Sequence, residues 1–307
     1  MLVVAACCLV ASVAANPVAV VVPPSDRAIG WSGRSLVHAD GSRSFDWAAQ
    51  TLTVAVRGTT NLSILINESK TNRYAVYEYA LGADGAVDYG MRKALVTTNS
   101  STNSSWNGQA STRYALLTKL DPNVTHNILL FKTTEAIGVW MPFGPGHFQG
   151  LVLDEGGTAA AAPPPWLVGR RLEIYGDSIT ACFGCTGSVR FEPGCDGVQK
   201  EDAWFSWGSV LARNLQAEHH LQAWSAIGLL HDATPFSPGV MATMVGRTLG
   251  GEPDSPVNTT PGTLNAWDFA SFAPSAVVSE YLSLPILRGL MPAGHLEKPA
   301  PGLSPEL

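Results

Sequence analysis

Charge is in short supply in this sequence. Charged residues make up 14% of the 307, against 46% hydrophobic, and the net charge is −6. The basic residues form no stripe, which argues against a nucleic-acid partner. So apolar a composition can bury a core, which argues against global disorder. Beyond the amino-terminal leader, no segment is long and apolar enough to cross a bilayer. The Gly-x-Ser-x-Gly pattern is also missing, which removes the usual α/β-hydrolase elbow from consideration. Cysteine is scarce as well: Cys7 and Cys8 lie in the leader, and only Cys182, Cys185 and Cys195 follow. Three cysteines with no histidine at ligand spacing make a poor zinc site, so no metal is expected. In an oxidising compartment they predict one disulfide and one leftover thiol. The spacing leaves the pair open. Cys185–Cys195 is the expectation, because the Gly-, Pro- and charge-rich loop between them closes easily.

What is present points to export. Residues 1–15, "MLVVAACCLVASVAA", are apolar and end in small residues, as a signal peptide does. The rival reading is an uncleaved anchor, since apolar residues resume at Val18 after Asn16-Pro17. Six of the twelve asparagines stand in Asn-x-Ser/Thr sequons: Asn61, Asn67, Asn99, Asn103, Asn123 and Asn258. That excess over chance predicts a secreted glycoprotein.

The chain has two textures. Residues 28–155 alternate over short runs such as "TLTVAVRG", "LSILIN" and "HNILLFKTT", with turn residues between them. That predicts an all-β sandwich or jelly roll. Residues 156–169, beginning "GGTAAAAPPPW", read as a stiff linker. From residue 170 the pattern becomes strand "RLEIYG", helix "EDAWFSWGSVLARNLQAEHH" and strand "LQAWSAIG", an α/β grain with a parallel sheet. Ala276-Val277-Val278 starts a further strand, and residues 279–307 are Pro-rich and expected to be disordered.

"RLEIYGDSITACFG", residues 171–184, places Ser178 after a strand and a tight turn. That geometry presents a hydroxyl at the carboxyl edge of a parallel sheet, where open α/β sheets bind ligands. "IYGDSITACFG" resembles the first block of the SGNH (GDSL-type) hydrolases. With "GRSLVHADGSRSFDWAAQTLTVAVRG", "HFQGLVLDEGG" and "EDAWFSWGSVLARNLQAEHHLQAWSAIGLL", the chain is similar to carbohydrate esterase family two over residues 30–278. The resemblance implies a jelly roll (28–155) followed by an SGNH domain (170–278) of flavodoxin-like three-layer form. It implies removal of acetyl groups from acetylated polysaccharide or oligosaccharide, with no cofactor and no membrane role beyond the leader. Ser178 matches the nucleophile, and the N–H groups of Ser178 and Gly228 match two oxyanion donors. Gly228 also reads as a plain strand-ending glycine, and Asp177 as a turn-shaping residue. Trp204, Trp207 and Trp224 suit either a sugar-binding cleft or the core.

The sequence departs from the family after Val278. The Gly-x-Asn-Asp block is missing, "SEYLSLPILRG" standing in its place, and so is the Asp-x-x-His block, where Pro292 precedes His295. A serine without a base is a weak nucleophile. His219 and His220 are expected as a solvated pair at a helix end, and His231 is the one candidate substitute base. The pattern therefore predicts an esterase domain incomplete at its carboxyl end and impaired in activity. The alternatives are a catalytically inactive glycan-binding protein and a non-functional truncated product.

Overall fold

The computed structural model describes residues 18–68, 70–97, 112–136, 143–187, 199–229 and 240–251, with the backbone of 276–279. Residues 1–17, Asn99, Asn103, Cys195, His231, Asn258, His295 and the residues beyond Ser279 lie outside the described residues.

Strands run in chain order as β1 (Val20–Val22), β2 (Gly30–Ser32), β3 (Leu36–Val37), β4 (Arg43–Phe45), β5 (Thr51–Arg57) and β6 (Asn61–Glu68). Next come β7 (Asn72–Leu81), β8 (Val87–Tyr89), β9 (Lys93–Thr97), β10 (Thr112–Thr118), β11 (His126–Lys132), β12 (Gly146–Leu153) and β13 (Thr158–Ala160). The remainder is β14 (Arg171–Gly176), α1 (Ser178–Ala181), α2 (Trp207–Asn214), β15 (Glu218–Ala223), α3 (Met241–Met244) and β16 (Ala276–Ser279). Among the described residues the chain is mostly β-sheet with few helices.

Two antiparallel sheets face each other. One runs β10-β6-β12-β4-β3 with β1 on β12, and the other runs β13-β5-β11-β7-β8 with β2 on β5 and β9 on β7. Their shared core is built by alternation. In β6, Leu62, Ile64 and Ile66 are buried to within 1%. They meet Val54 and Val56 of β5 and Ile128 and Leu130 of β11. Strand spacing of two puts those side chains on one face.

The second sheet is also buried on its outer face. Ala75, Tyr77 and Tyr79 of β7, with Leu129 and Phe131 of β11, pack against Leu172 and Ile174 of β14 and Leu221 and Ala223 of β15. Burial on both faces explains why the alternation in "NILLF" gives way to four consecutive apolar residues. The partner is a three-stranded parallel sheet, β15-β14-β16, with β14 in the middle.

Three expectations are corrected. The sandwich begins before residue 28: Val20–Val22, part of the apolar stretch that resumes after Asn16-Pro17, pairs with β12. The stretch 156–169 is built in rather than strung between units. Thr158–Ala160 pairs with β5, the Tyr79 hydroxyl donates to the Pro163 carbonyl (2.5 Å), and Ala162 joins the interface core. Finally, the helix predicted through "EDAWFSWGSVLARNLQAEHH" is only α2, preceded by a 3₁₀ turn at Ala203–Phe205. His219 and His220 belong to β15, not to a solvated helix end. Their polarity is absorbed by partners distant in sequence or one helix away. Ser209 of α2 shares a hydrogen bond with His219 (3.0 Å), and Glu173 lies 3.6 Å from His220.

Helix α2 approaches the sheet through Gly208. A methyl group there would sit 3.0 Å from Ile174 Cγ2 and 3.2 Å from Leu221 Cδ1. Both neighbours are buried and cannot swing away. Gly208→Ala gains about 1 kcal/mol of helix propensity, and overpacking costs roughly 1–3 kcal/mol. A net loss of about 1 kcal/mol is therefore expected, read as a lower thermal midpoint. A raised midpoint would show that α2 has room to move.

Candidate active site

Gly176 ends β14, Asp177 caps α1, and Ser178 is the first residue of that helix. The Asp177 carboxylate accepts the Ile179 N–H at 2.9 Å, the turn-shaping role read from the sequence. Helix α1 lasts one turn. Cys182 closes it in the left-handed conformation (φ 63°) and donates its N–H to the Ile179 carbonyl at 3.2 Å. Trp207 Nε1 donates to Thr180 Oγ1 at 2.9 Å, tying α1 to α2. Ser178 itself is half-buried.

The neighbouring strand β15 ends in a second turn, Ser225–Gly228. The Trp224 N–H donates to the Gly176 carbonyl (3.2 Å), so the two turns leave adjacent strands at the same sheet edge. The Gly228 carbonyl accepts the Met241 N–H at 2.9 Å, which fixes the end of the turn on α3. Ala226 takes φ 67°, a left-handed conformation that a residue with a Cβ holds only when its surroundings enforce it.

The disulfide is Cys182–Cys185, not Cys185–Cys195. The reason is local: the left-handed turn after α1 folds the chain back, the Cys185 N–H donates to the Cys182 carbonyl, and the two Cα atoms lie 5.2 Å apart. Non-reducing peptide mapping is expected to recover Cys182 and Cys185 in one intramolecular link. A Cys185–Cys195 linked peptide would refute this pairing.

The tryptophans serve the interface. Trp204 is 7% exposed, stacked on Tyr77 at 4.3 Å between ring centres, with the Arg213 guanidinium 4.1 Å over its ring. Trp224 is 2% exposed and edge-on to Trp47 of the sandwich at 6.2 Å. Trp207 is partly buried against the same core as Trp204. Each described histidine is engaged away from Ser178. His38 and His147 share Ser44, His126 pairs with Glu78, His219 with Ser209, and His220 lies beside Glu173. Burial pushes His219 down to about 3 and His220 well below its ordinary value, with Arg213 and Arg34 adding to the effect, respectively.

Sequence reasoning missed the sandwich's polar contribution to this edge. Arg34, fully buried, donates to Glu173 (2.6 Å), to the Tyr175 hydroxyl (2.9 Å) and to the Val245 and Arg247 carbonyls (2.6 and 2.8 Å). Glu135, just after β11, accepts the Ser225 N–H at 2.5 Å, and its own N–H donates to Glu201 at 2.5 Å. Burial holds the Glu135 carboxyl up at about 7, and raises Glu201 well above the usual range. Buried Lys132 donates to the Asp46, Thr134 and Glu135 carbonyls close by. No spacing in "FKTTEAIG" announces these roles, because every partner but Thr134 and Glu135 is remote in sequence.

No family model matches the chain. Over 157 residues, 50% of the chain, it is 33% identical to the cellulase/esterase CelE of Acetivibrio thermocellus, of which it covers 16%. Its fold is similar to that of a family two carbohydrate esterase from Clostridium thermocellum in complex with cellohexaose. The identity is 24% and the TM-score 0.61, covering 82% of this chain and 64% of that one. A family two carbohydrate esterase from Cellvibrio japonicus matches at 18% identity and a TM-score of 0.64, covering 86% of this chain and 67% of that one. The acetyl xylan esterase Est2A of Butyrivibrio proteoclasticus matches at 18% and 0.62, covering 86% and 64%. The chain thus spans about two thirds of its structural neighbours and far less of CelE. It has the fold of the family two carbohydrate esterases and, over half its length, a sequence similar to a known cellulase/esterase.

Proposed function

We propose that the protein is a secreted carbohydrate esterase. It removes acetyl groups from polysaccharide or oligosaccharide hydroxyls through a serine acyl-enzyme, on a jelly roll joined to an SGNH domain. The observation that carries this reading is the position of Ser178. It opens α1 at the carboxyl end of the central parallel strand, beside the Ser225–Gly228 turn. In this mechanism Ser178 Oγ attacks the acetyl carbonyl carbon, and the sugar oxygen leaves with a proton. Water then releases acetate from the serine. The N–H groups of Ser178 and Gly228 donate to the oxyanion formed in each half, the interaction that contributes most to such reactions. The relatives support the substrate class, one being an acetyl xylan esterase and another having been captured with cellohexaose.

A second reading, a glycan-binding protein without turnover, is favoured by the engagement of every described histidine away from Ser178. Acetate release from acetylated xylan separates the two. The assay uses a chain extended beyond Val278 by the Gly-x-Asn-Asp and Asp-x-x-His blocks of a family two esterase. Release supports the esterase reading. Binding of xylan or cellohexaose without release supports the second.

The leader and the sequons belong to the same proposal. Asn123 stands exposed in the turn before β11, whereas Asn61 is half-buried with its amide on Asp154. Secreted material is expected to begin near Ala15 or Asn16 and to carry a glycan at Asn123. An intact Met1 with no glycosidase shift would contradict both.

A further inference from the structure

We propose that Glu135, contributed by the sandwich, is a positioning residue of this site: its carboxyl group fixes the Ser225–Gly228 turn, and with it the Gly228 amide, beside the nucleophile turn. The value of that position rests on the esterase reading; the geometry does not.

The turn is a short segment under strain. Ala226 sits at φ 67° between two anchored ends. On the far side, the Ile227 N–H donates to the Trp224 carbonyl (3.2 Å), and the Gly228 carbonyl accepts from Met241 (2.9 Å). On the near side, the Ser225 N–H donates to Glu135 Oε2 of the sandwich at 2.5 Å. The bond joins the half-buried Ser225 amide to a fully buried carboxyl group, so it ties the near end of the turn to the sandwich.

Glu135 is itself held rigidly. Its carbonyl accepts Lys132 Nζ (3.0 Å), and its N–H donates to Glu201 (2.5 Å). Glu201 lies on the strand of chain that returns from α1, where Thr186 donates twice to the Lys200 carbonyl. One residue therefore grips both the segment following the nucleophile helix and the turn facing it. A second contact follows the same path: Trp47 of the sandwich meets Trp224, the residue immediately before the turn. The sandwich is thus part of the site's scaffold. The charged and titratable groups around Glu135 include Lys132, Glu201 and Asp177, so its carboxyl belongs to a buried polar cluster and not to bulk solvent.

Amide hydrogen exchange on the 1–307 chain tests this, read by mass spectrometry on peptides covering Leu221–Leu229 and, as a control, β14. Two variants are compared with the parent. Glu135→Met keeps the volume but accepts no hydrogen bond, and Glu135→Gln keeps a carbonyl acceptor. The expected result is exchange of Ser225–Gly228 at least tenfold faster in the Met variant and close to the parent in the Gln variant, with β14 unchanged in both. Met and Gln variants that behave alike would overturn the proposal. So would acceleration in the Met variant that extends over the whole chain. Failure of the esterase reading appears in a different experiment, the acetate-release assay, and leaves this comparison intact.

Discussion

Purified 1–307 is expected to hydrolyse 4-nitrophenyl acetate no more than roughly 10³–10⁴ times faster than water, the level that oxyanion donors and binding alone sustain. Ser178→Ala should lower that rate by less than about tenfold. The reasoning is non-additivity. A nucleophile and its base act as one unit, so removing the serine from a chain without the base takes away little more. In the described residues the five histidines are committed elsewhere, and the sequence holds no Asp-x-x-His block. Once the missing blocks are appended, the same substitution should cost on the order of 10⁶ in rate. Fast hydrolysis by 1–307 that vanishes in both Ser178→Ala and His231→Ala would overturn this expectation and identify His231 as the base.

The second large effect is structural. Arg34→Met should destabilise the chain by about 3–5 kcal/mol, because it leaves the Glu173 carboxylate buried at the interface without its cation. Arg34 and Glu173 are both fully buried, and the guanidinium also serves two backbone carbonyls and Tyr175. Burial already raises Glu173 above the usual carboxylate range, against the pull of Arg34. Adding Glu173→Leu to the Met variant should recover much of the loss, since the uncompensated charge goes with it. Urea unfolding midpoints of the parent, single and double variants measure the coupling. A single variant as stable as the parent would mean that the bridge contributes nothing to the interface.

How much of this was legible before the structure depended on whether the cause was local. β6 was readable because Leu62, Ile64 and Ile66 alternate over a stretch bounded by turn residues. The Gly-Asp-Ser turn was readable because Asp177 caps the helix that it starts. β15 was readable only from Leu221 on, where "LQAWSAIG" reads as a strand. "EHH" before it is polar by composition, and its histidines are placed by α2, Phe131 of the sandwich and Glu173. The Cys182–Cys185 disulfide was not legible because loop composition carries no trace of the left-handed turn at Cys182, which no residue type there announces. Glu135, Arg34 and Trp47 escaped notice for one common reason: each acts across the interface between the sandwich and the parallel sheet. Single-sequence periodicity describes which face of a strand is apolar, and it carries no record of what lies against that face.

The central claim is that Ser178 carries the acyl group. The most direct measurement traps it. The extended chain is acid-quenched during turnover of acetylated xylan oligosaccharides, digested with trypsin, and searched by mass spectrometry for the peptide Leu172–Arg190. The account expects an acetyl group on that peptide, localised to Ser178 and missing from the Ser178→Ala variant. Acetate released at full rate by the Ser178→Ala variant, or an acetyl group found on another residue, would contradict it.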